Sequence, residues 1–126
     1  KADIGPIPDE WLDAWGDVAW CRFRFKGGRR WHAGLIAQRV HTAFAARGLD
    51  AFRIGLCCFD VWEEERAPVV DTAGNIMGNG KVTREAGDLW GLRYDECFAM
   101  EAAWVRRELT RMQMRKSDKR SRKRDS

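Results

Sequence analysis

The stretch from Tyr94 onward constrains this chain most, because Phe98, Ala102, Val105, Leu109 and Met112 fall at alternating four- and three-residue steps. That spacing sets all five on one stripe of a helix, predicted over residues 94–116. A stripe of this kind is the seam of a coiled coil, where like faces of several helices meet. Over so few turns it suits equally a single amphipathic helix packed on its own domain. Pattern alone leaves both readings open.

The remainder of the 126 residues fits one domain with a modest core. Pro8 at a first-turn position, followed by Asp9 and Glu10, predicts a short helix through about Trp15, ended by Gly16. Residues 17–26 alternate, with Val18, Trp20, Arg22 and Arg24 on one face and Ala19, Cys21, Phe23 and Phe25 on the other. They read as a half-buried strand. Gly27-Gly28-Arg29-Arg30 marks a turn, and the apolar run 31–36 is a short strand leading into a helix over 37–47 that Gly48 caps. Residues 51–62 are dense in apolar side chains without helical spacing, and Glu63-Glu64-Glu65 makes a soluble edge. Between 67 and 88 stand one proline, four glycines and few large apolar groups. Gly74-Asn75 and Gly78-Asn79-Gly80 are turn signals between the β-prone pieces Val69-Val70 and Lys81-Val82-Thr83, which predicts a hairpin or an exposed loop.

Several function classes lack their residues. Cys21, Cys57, Cys58 and Cys97 form no Cys-x-x-Cys pair and share no spacing with the two histidines, so they read as free, largely buried thiols and no metal site is predicted. His32 and His41 belong to no Ser/His/Asp arrangement. Gly74 to Gly80 lacks the Lys-Ser/Thr ending of a phosphate loop, and no cofactor is predicted. No signal peptide and no apolar run of membrane-spanning length is present, so the expectation is a protein without a membrane partner, made in a reducing cytosol. Seven Trp and six Phe exceed what a small interior takes, which favours an oligomer with aromatics at its interface. Of the net charge of +4, residues 115–126 supply seven Lys/Arg against two Asp, leaving the body near neutral. That basic stretch carries no apolar residue and is predicted to be a solvated, disordered tail over 117–126.

Three segments taken in order carry a family likeness: Lys1-Ala2-Asp3-Ile4-Gly5-Pro6-Ile7-Pro8, then Trp31-His32-Ala33-Gly34-Leu35-Ile36-Ala37-Gln38-Arg39-Val40, then Gly91-Leu92-Arg93-Tyr94-Asp95-Glu96-Cys97-Phe98-Ala99-Met100-Glu101-Ala102-Ala103. From Lys1 to about Leu109 the chain resembles the C-terminal intramolecular chaperone domain of phage tailspikes, tail fibres and endosialidases, also called peptidase S74. The resemblance implies an α+β fold, mainly helical, with a long C-terminal helix forming a trimeric coiled coil and protruding β-hairpin arms. The chaperone domain would cover 1–116, with its arm at about 67–88. It implies a homotrimer seamed by Phe98, Ala102, Val105, Leu109 and Met112, and a client-binding arm carrying Val69, Val70, Asp71, Asn75, Ile76, Met77, Asn79, Lys81 and Val82. The client would be an upstream β-structured fibre or spike segment of the same polypeptide, assembled in the host cell cytoplasm. In the family a serine a few residues ahead of a motif lysine cuts the chain, with the lysine as general base. Lys1 matches that lysine. The serine would stand upstream, so residues 1–126 alone are expected to be inactive as a peptidase.

Members of the resembled family carry that lysine in a Ser-Asp-x-Arg-Leu-Lys motif; Ser117-Asp118-Lys119-Arg120-Ser121-Arg122 repeats its Ser-Asp-x-Arg but puts Arg122 in the lysine's place, and an arginine cannot give up its proton near neutrality. Two alternatives remain at this level. One is a trimerisation foot that is never cleaved. The other is a nucleic-acid binder using the basic tail, disfavoured because no aromatics are interleaved with the tail's charges to read bases.

Overall fold

A computed structural model describes residues 1–124. Pro8 caps α1 (Asp9–Gly16), its carbonyl accepting from the amides of Trp11 and Leu12 at 3.0 and 3.3 Å. Leu12, Ala14 and Trp15 are the buried residues of this helix. The predicted strand over 17–26 shrinks to β1 (Cys21–Phe23), paired antiparallel with β2 (His32–Gly34) in the register Cys21 to Gly34 and Phe23 to His32. Two causes shorten it. Trp20 stacks on Phe98, which draws the residues before Cys21 away from the sheet. Beyond Phe23 the chain turns at Gly27, whose φ of 81° suits glycine.

α2 (Ala37–Ala45) follows, burying Ala37, Val40 and Phe44 at helical spacing. It ends two residues before the predicted limit, where the amide of Leu49 returns to the carbonyl of Phe44 at 2.9 Å and Gly48 takes φ 74°. α3 (Ala51–Ile54) is a turn of helix inside a run read as non-helical. Its signals are local: the Asp50 carboxylate accepts from the amide of Phe52 at 2.9 Å, and Gly55 closes the turn at φ 93°.

Four strands come next: β3 (Cys57–Trp62), β4 (Glu65–Val70), β5 (Ile76–Arg84) and β6 (Gly87–Leu92). β3 pairs with β6, and β4 with β5 as an antiparallel hairpin with register shifts. Of the two predicted turn signals, the one ending at Asn75 closes the hairpin, while Gly78-Asn79-Gly80 lies inside β5. The glycines there permit close approach: a Cβ on Gly80 would sit 2.8 Å from Cγ2 of Val69 on the facing strand.

The last element, α4 (Tyr94–Arg124), begins as predicted but runs past 116, so residues 117–124 are helix rather than disordered tail. The other two residues of that predicted tail lie outside the described residues. No proline or glycine interrupts the run, Lys and Arg are good helix formers, and Arg122, Lys123 and Arg124 complement the negative end of the helix dipole.

The chain divides into two compact units, Lys1–Cys57 with the segment from Leu92 onward, and Cys58–Gly91. In the first, Leu12, Trp15, Leu35, Val40, Phe44, Ala51, Leu56, Cys57, Cys97 and Met100 form one core. In the second, no described hydrophobic residue is fully buried. The observed class is mixed α+β.

Candidate functional site

Two faces of α4 divide the work. Cys97 and Met100 enter the core, and Ala103 and Trp104 pack against it. The indole N–H of Trp15 donates to the Glu101 carboxylate at 2.6 Å. Further along the helix Arg107, only 13% exposed, reaches Asp13 at 2.8 Å and Asp9 at 3.2 Å, tying α4 to α1. Gly16 lets the helices close, since a Cβ there would lie 2.8 Å from the indole nitrogen of Trp104.

The predicted seam lies on a different face. Ala102 is exposed, as are Phe98, Val105, Leu109 and Met112, with Leu109 at 53% and Met112 at 60%. The stripe is therefore not what holds α4 to its own domain. Only its top is partly covered: Phe98 stacks on Trp20 at 6.1 Å and meets Tyr94 at 5.8 Å. The Ser117 to Arg122 repeat is helical and exposed.

The two longer segments that carry the family likeness meet in space, a contact that spacing along the chain could not reveal. The Tyr94 hydroxyl accepts from the amide of Leu35 at 3.3 Å and donates to the Leu35 carbonyl at 3.5 Å. Gly34 must be glycine for this approach, because a Cβ there would fall 2.7 Å from that hydroxyl oxygen. The start of α4 is also tied by the amide of Arg93 to the Leu56 carbonyl at 2.9 Å. Beneath it Cys57 donates through sulfur to the Ala37 carbonyl. Burial, with Cys57 and Glu96 nearby, pushes the Cys97 thiol up to about 11. None of the four cysteines is in a disulfide among the described residues. Sequence reading placed Tyr94, the only tyrosine of the chain, at the head of the helix but gave its hydroxyl no partner, because nothing along the chain points from it to Leu35.

The candidate arm residues gather on the β4–β5 hairpin. Val69, Val70, Ile76 and Met77 are exposed, Ile76 at 74%, as are Asn75, Asn79 and Lys81, while Asp71 and Val82 are half-buried. Asp71 organises the tip by accepting from the amides of Ala73 and Asn75, each at 2.9 Å. Those bonds, that from Asn75 foremost, hold its carboxyl below the usual range. Lys1 is exposed at the head of a segment, residues 1–8, that is exposed throughout. Among the described residues no group of three or more His, Cys, Asp or Glu side chains is placed to hold a metal ion. No described helix is long and apolar enough to cross a membrane.

What the described residues offer is an α+β chain with exposed apolar faces on α4 and on the β4–β5 hairpin. Residues 1–49 match the family model for the chaperone of endosialidase, peptidase S74. A crystal structure described as a novel intramolecular chaperone is 39% identical, with a TM-score of 0.72, over 88% of this chain and 95% of that one. The chain therefore belongs to the peptidase S74 family of intramolecular chaperones. It is also 41% identical over 121 residues to the tail spike protein of Escherichia virus K5, matching 90% of this chain but spanning only 18% of that relative's length. The C-terminal domain of the bacteriophage T5 L-shaped tail fibre, solved with its intramolecular chaperone domain, shares the fold with a TM-score of 0.73 at 23% identity, over 93% of this chain and 30% of that one.

Proposed function

We propose that this chain is the C-terminal intramolecular chaperone of a phage tail spike or fibre and that it trimerises through the exposed stripe of α4. One observation carries the reading: Ala102, Val105, Leu109 and Met112 are exposed although α4 is already fastened to its own domain through another face. Apolar residues at heptad spacing with no use inside the domain are suited to a second copy. Three chains that must wind into a β-structure face a large ordering cost before contacts reward them. A domain that associates first raises their mutual effective concentration. The exposed hairpin residues Val69, Val70, Ile76 and Met77 would shield client strand edges during winding, with Asp71, Asn75, Asn79, Lys81 and Val82 shaping that surface. Assembly would take place in the host cell cytoplasm.

Leu109→Asp tests the seam, since it sets a charge in every copy of it. Light scattering should then report monomers where the wild type is trimeric. An unchanged oligomer would remove the coiled-coil proposal. For the arm, deletion of residues 71–80 should leave the first unit folded but lower the yield of detergent-resistant fibre trimers, and full yield would reduce the hairpin to a loop.

Release by a Ser-Lys dyad is the finer part of the proposal. The serine oxygen ahead of Lys1 would add to the preceding carbonyl carbon while the lysine amine takes the hydroxyl proton and passes it to the leaving nitrogen. Water would then hydrolyse the ester. A lysine base needs a water-excluded setting, and residues 1–8 are exposed in the single chain. Trimer closure would supply that setting and so couple cleavage to assembly. Intact mass of the parent polypeptide under denaturing conditions should show a split ahead of Lys1 that Lys1→Ala abolishes. If both stay whole, the domain is a permanent foot.

A further inference from the structure

The helix continues to Arg124 without a break, and this gives the heptad a second half. Extending the alternation of four and three residues beyond Met112 reaches Lys116, Lys119 and Lys123, all exposed. The seam thus changes from apolar to cationic along one helix. Leu109, Met112, Lys116, Lys119 and Arg122 lie along one exposed side of α4, with the Asp118 carboxylate beside them, so the two halves share one face.

The flanking positions change with it. Beside the apolar half stand Glu101 and Glu108 on one flank and Arg106 on the other, an arrangement of opposite charges. Beside the lysine half stand Arg115 and Arg122 on one flank and Arg120 on the other, all of one sign. Asp118 alone offsets them within residues 115–124.

In a cyclic trimer every residue is repeated around the axis. Lys116 and Lys119 would each form a ring of ammonium groups separated by less than the Debye length of roughly 8 Å at physiological ionic strength, where screening does not remove their repulsion. Rings of like charge at a helix-bundle axis either splay the helices or take up counter-charge.

We propose that Lys116 and Lys119, brought to the axis by three copies of α4, form a binding site for a multivalent phosphate-like anion, and that the lower part of the seam closes only when the site is filled. The proposal rests on the trimer reading above. It makes the grip of the three chains adjustable by anion, with the apolar half holding register and the lysine half setting strength.

The test uses the whole chain at fixed ionic strength, in chloride or with inorganic pyrophosphate as the probe, with the trimer dissociation constant read by sedimentation. Pyrophosphate should tighten the wild-type trimer at least 10-fold. The Lys116→Met/Lys119→Met variant, which extends the apolar seam, should be tight in chloride and indifferent to pyrophosphate. A wild-type trimer that ignores pyrophosphate, or a double variant that keeps the full response, would overturn the anion site while leaving the trimer standing. Monomers throughout, in every variant and buffer, would overturn both.

Discussion

The two units of this chain are built on opposite principles. The first buries Trp15, Val40, Phe44, Leu56 and their neighbours in one core, assembled from helices far apart in sequence. The second, Cys58–Gly91, has no fully buried hydrophobic residue among those described and leaves Val61, Val69, Val70, Ile76, Met77 and Leu89 exposed. Its order comes from backbone pairing and a few side-chain braces. Examples are Trp62 donating to the Glu85 carbonyl at 2.8 Å and the Arg84 guanidinium 4.0 Å from the Trp62 ring centre. Short two-stranded pairings are marginal by themselves in water. The contrast lies between a part held together by a buried core and a part held by strand pairing that leaves its apolar groups exposed.

The sharpest way to break that contrast is truncation on each side of it. Phe44→Ala should cost about 3–5 kcal/mol by urea unfolding, the range for removing a large buried aromatic. Ile76→Ala should stay within about 0.5 kcal/mol, as surface changes do. Equal losses would mean that the hairpin is as much a part of the folding unit as the helices.

A smaller effect probes how the family segments lock together. Gly34→Ala should cost about 1–3 kcal/mol by overpacking against Tyr94, and Tyr94→Phe about 1–2 kcal/mol through the lost Leu35 bonds. Combined, the two should cost less than their sum, because removing the hydroxyl makes room for the methyl group. Strict additivity would show that the two sites do not meet.

Thiol labelling reads burial residue by residue without altering stability, and within the first unit it sets Cys21 against Cys57 and Cys97. Cys21 and Cys58, half-buried, should react with an alkylating agent near pH 8 well before Cys57 and Cys97, which are buried, with the Cys97 thiol held near 11. Intact mass against time reads the order, and early loss of Cys97 would mean that the core opens locally.

The smallest effect concerns acid. The Asp71 carboxyl is depressed in the folded hairpin, so its contribution is present above the unfolded value near 4 and fades as the pH falls through the lower folded value. Hydrogen-exchange protection at the tip amides of Ala73 and Asn75, taken relative to the intrinsic rate at each pH, should fall below about pH 4, and Asp71→Asn should flatten that dependence. An unaltered profile in the variant would assign the acid response elsewhere.

Much of this was legible in the residues because the signals were local. Pro8 with Asp9 and Glu10 marks α1, Gly48 ends α2, and the spacing from Phe98 to Met112 places a stripe on α4. α3 escaped notice because its caps, Asp50 and Gly55, enclose too few residues to show a period. The end of α4 was misjudged because a run of like charge reads as solvated chain, whereas nothing in it stops a helix already begun at Tyr94. Which face of α4 the domain uses was not legible at all. That choice depends on Trp15 and Arg107 finding their partners across the fold, and Arg107 meets carboxylates nearly the whole chain away.

The central claim, that association of this domain drives assembly of the structure ahead of it, is tested most directly by expressing a parent spike with residues 1–126 at its C-terminus, unchanged or carrying Leu109→Asp. The readout is the fraction of spike recovered as detergent-resistant trimer. The account predicts that the unchanged chain yields folded trimers and that Leu109→Asp sends most of the spike into aggregates. Equal yields from both would contradict it, and the exposed stripe of α4 would then have no part in chaperoning.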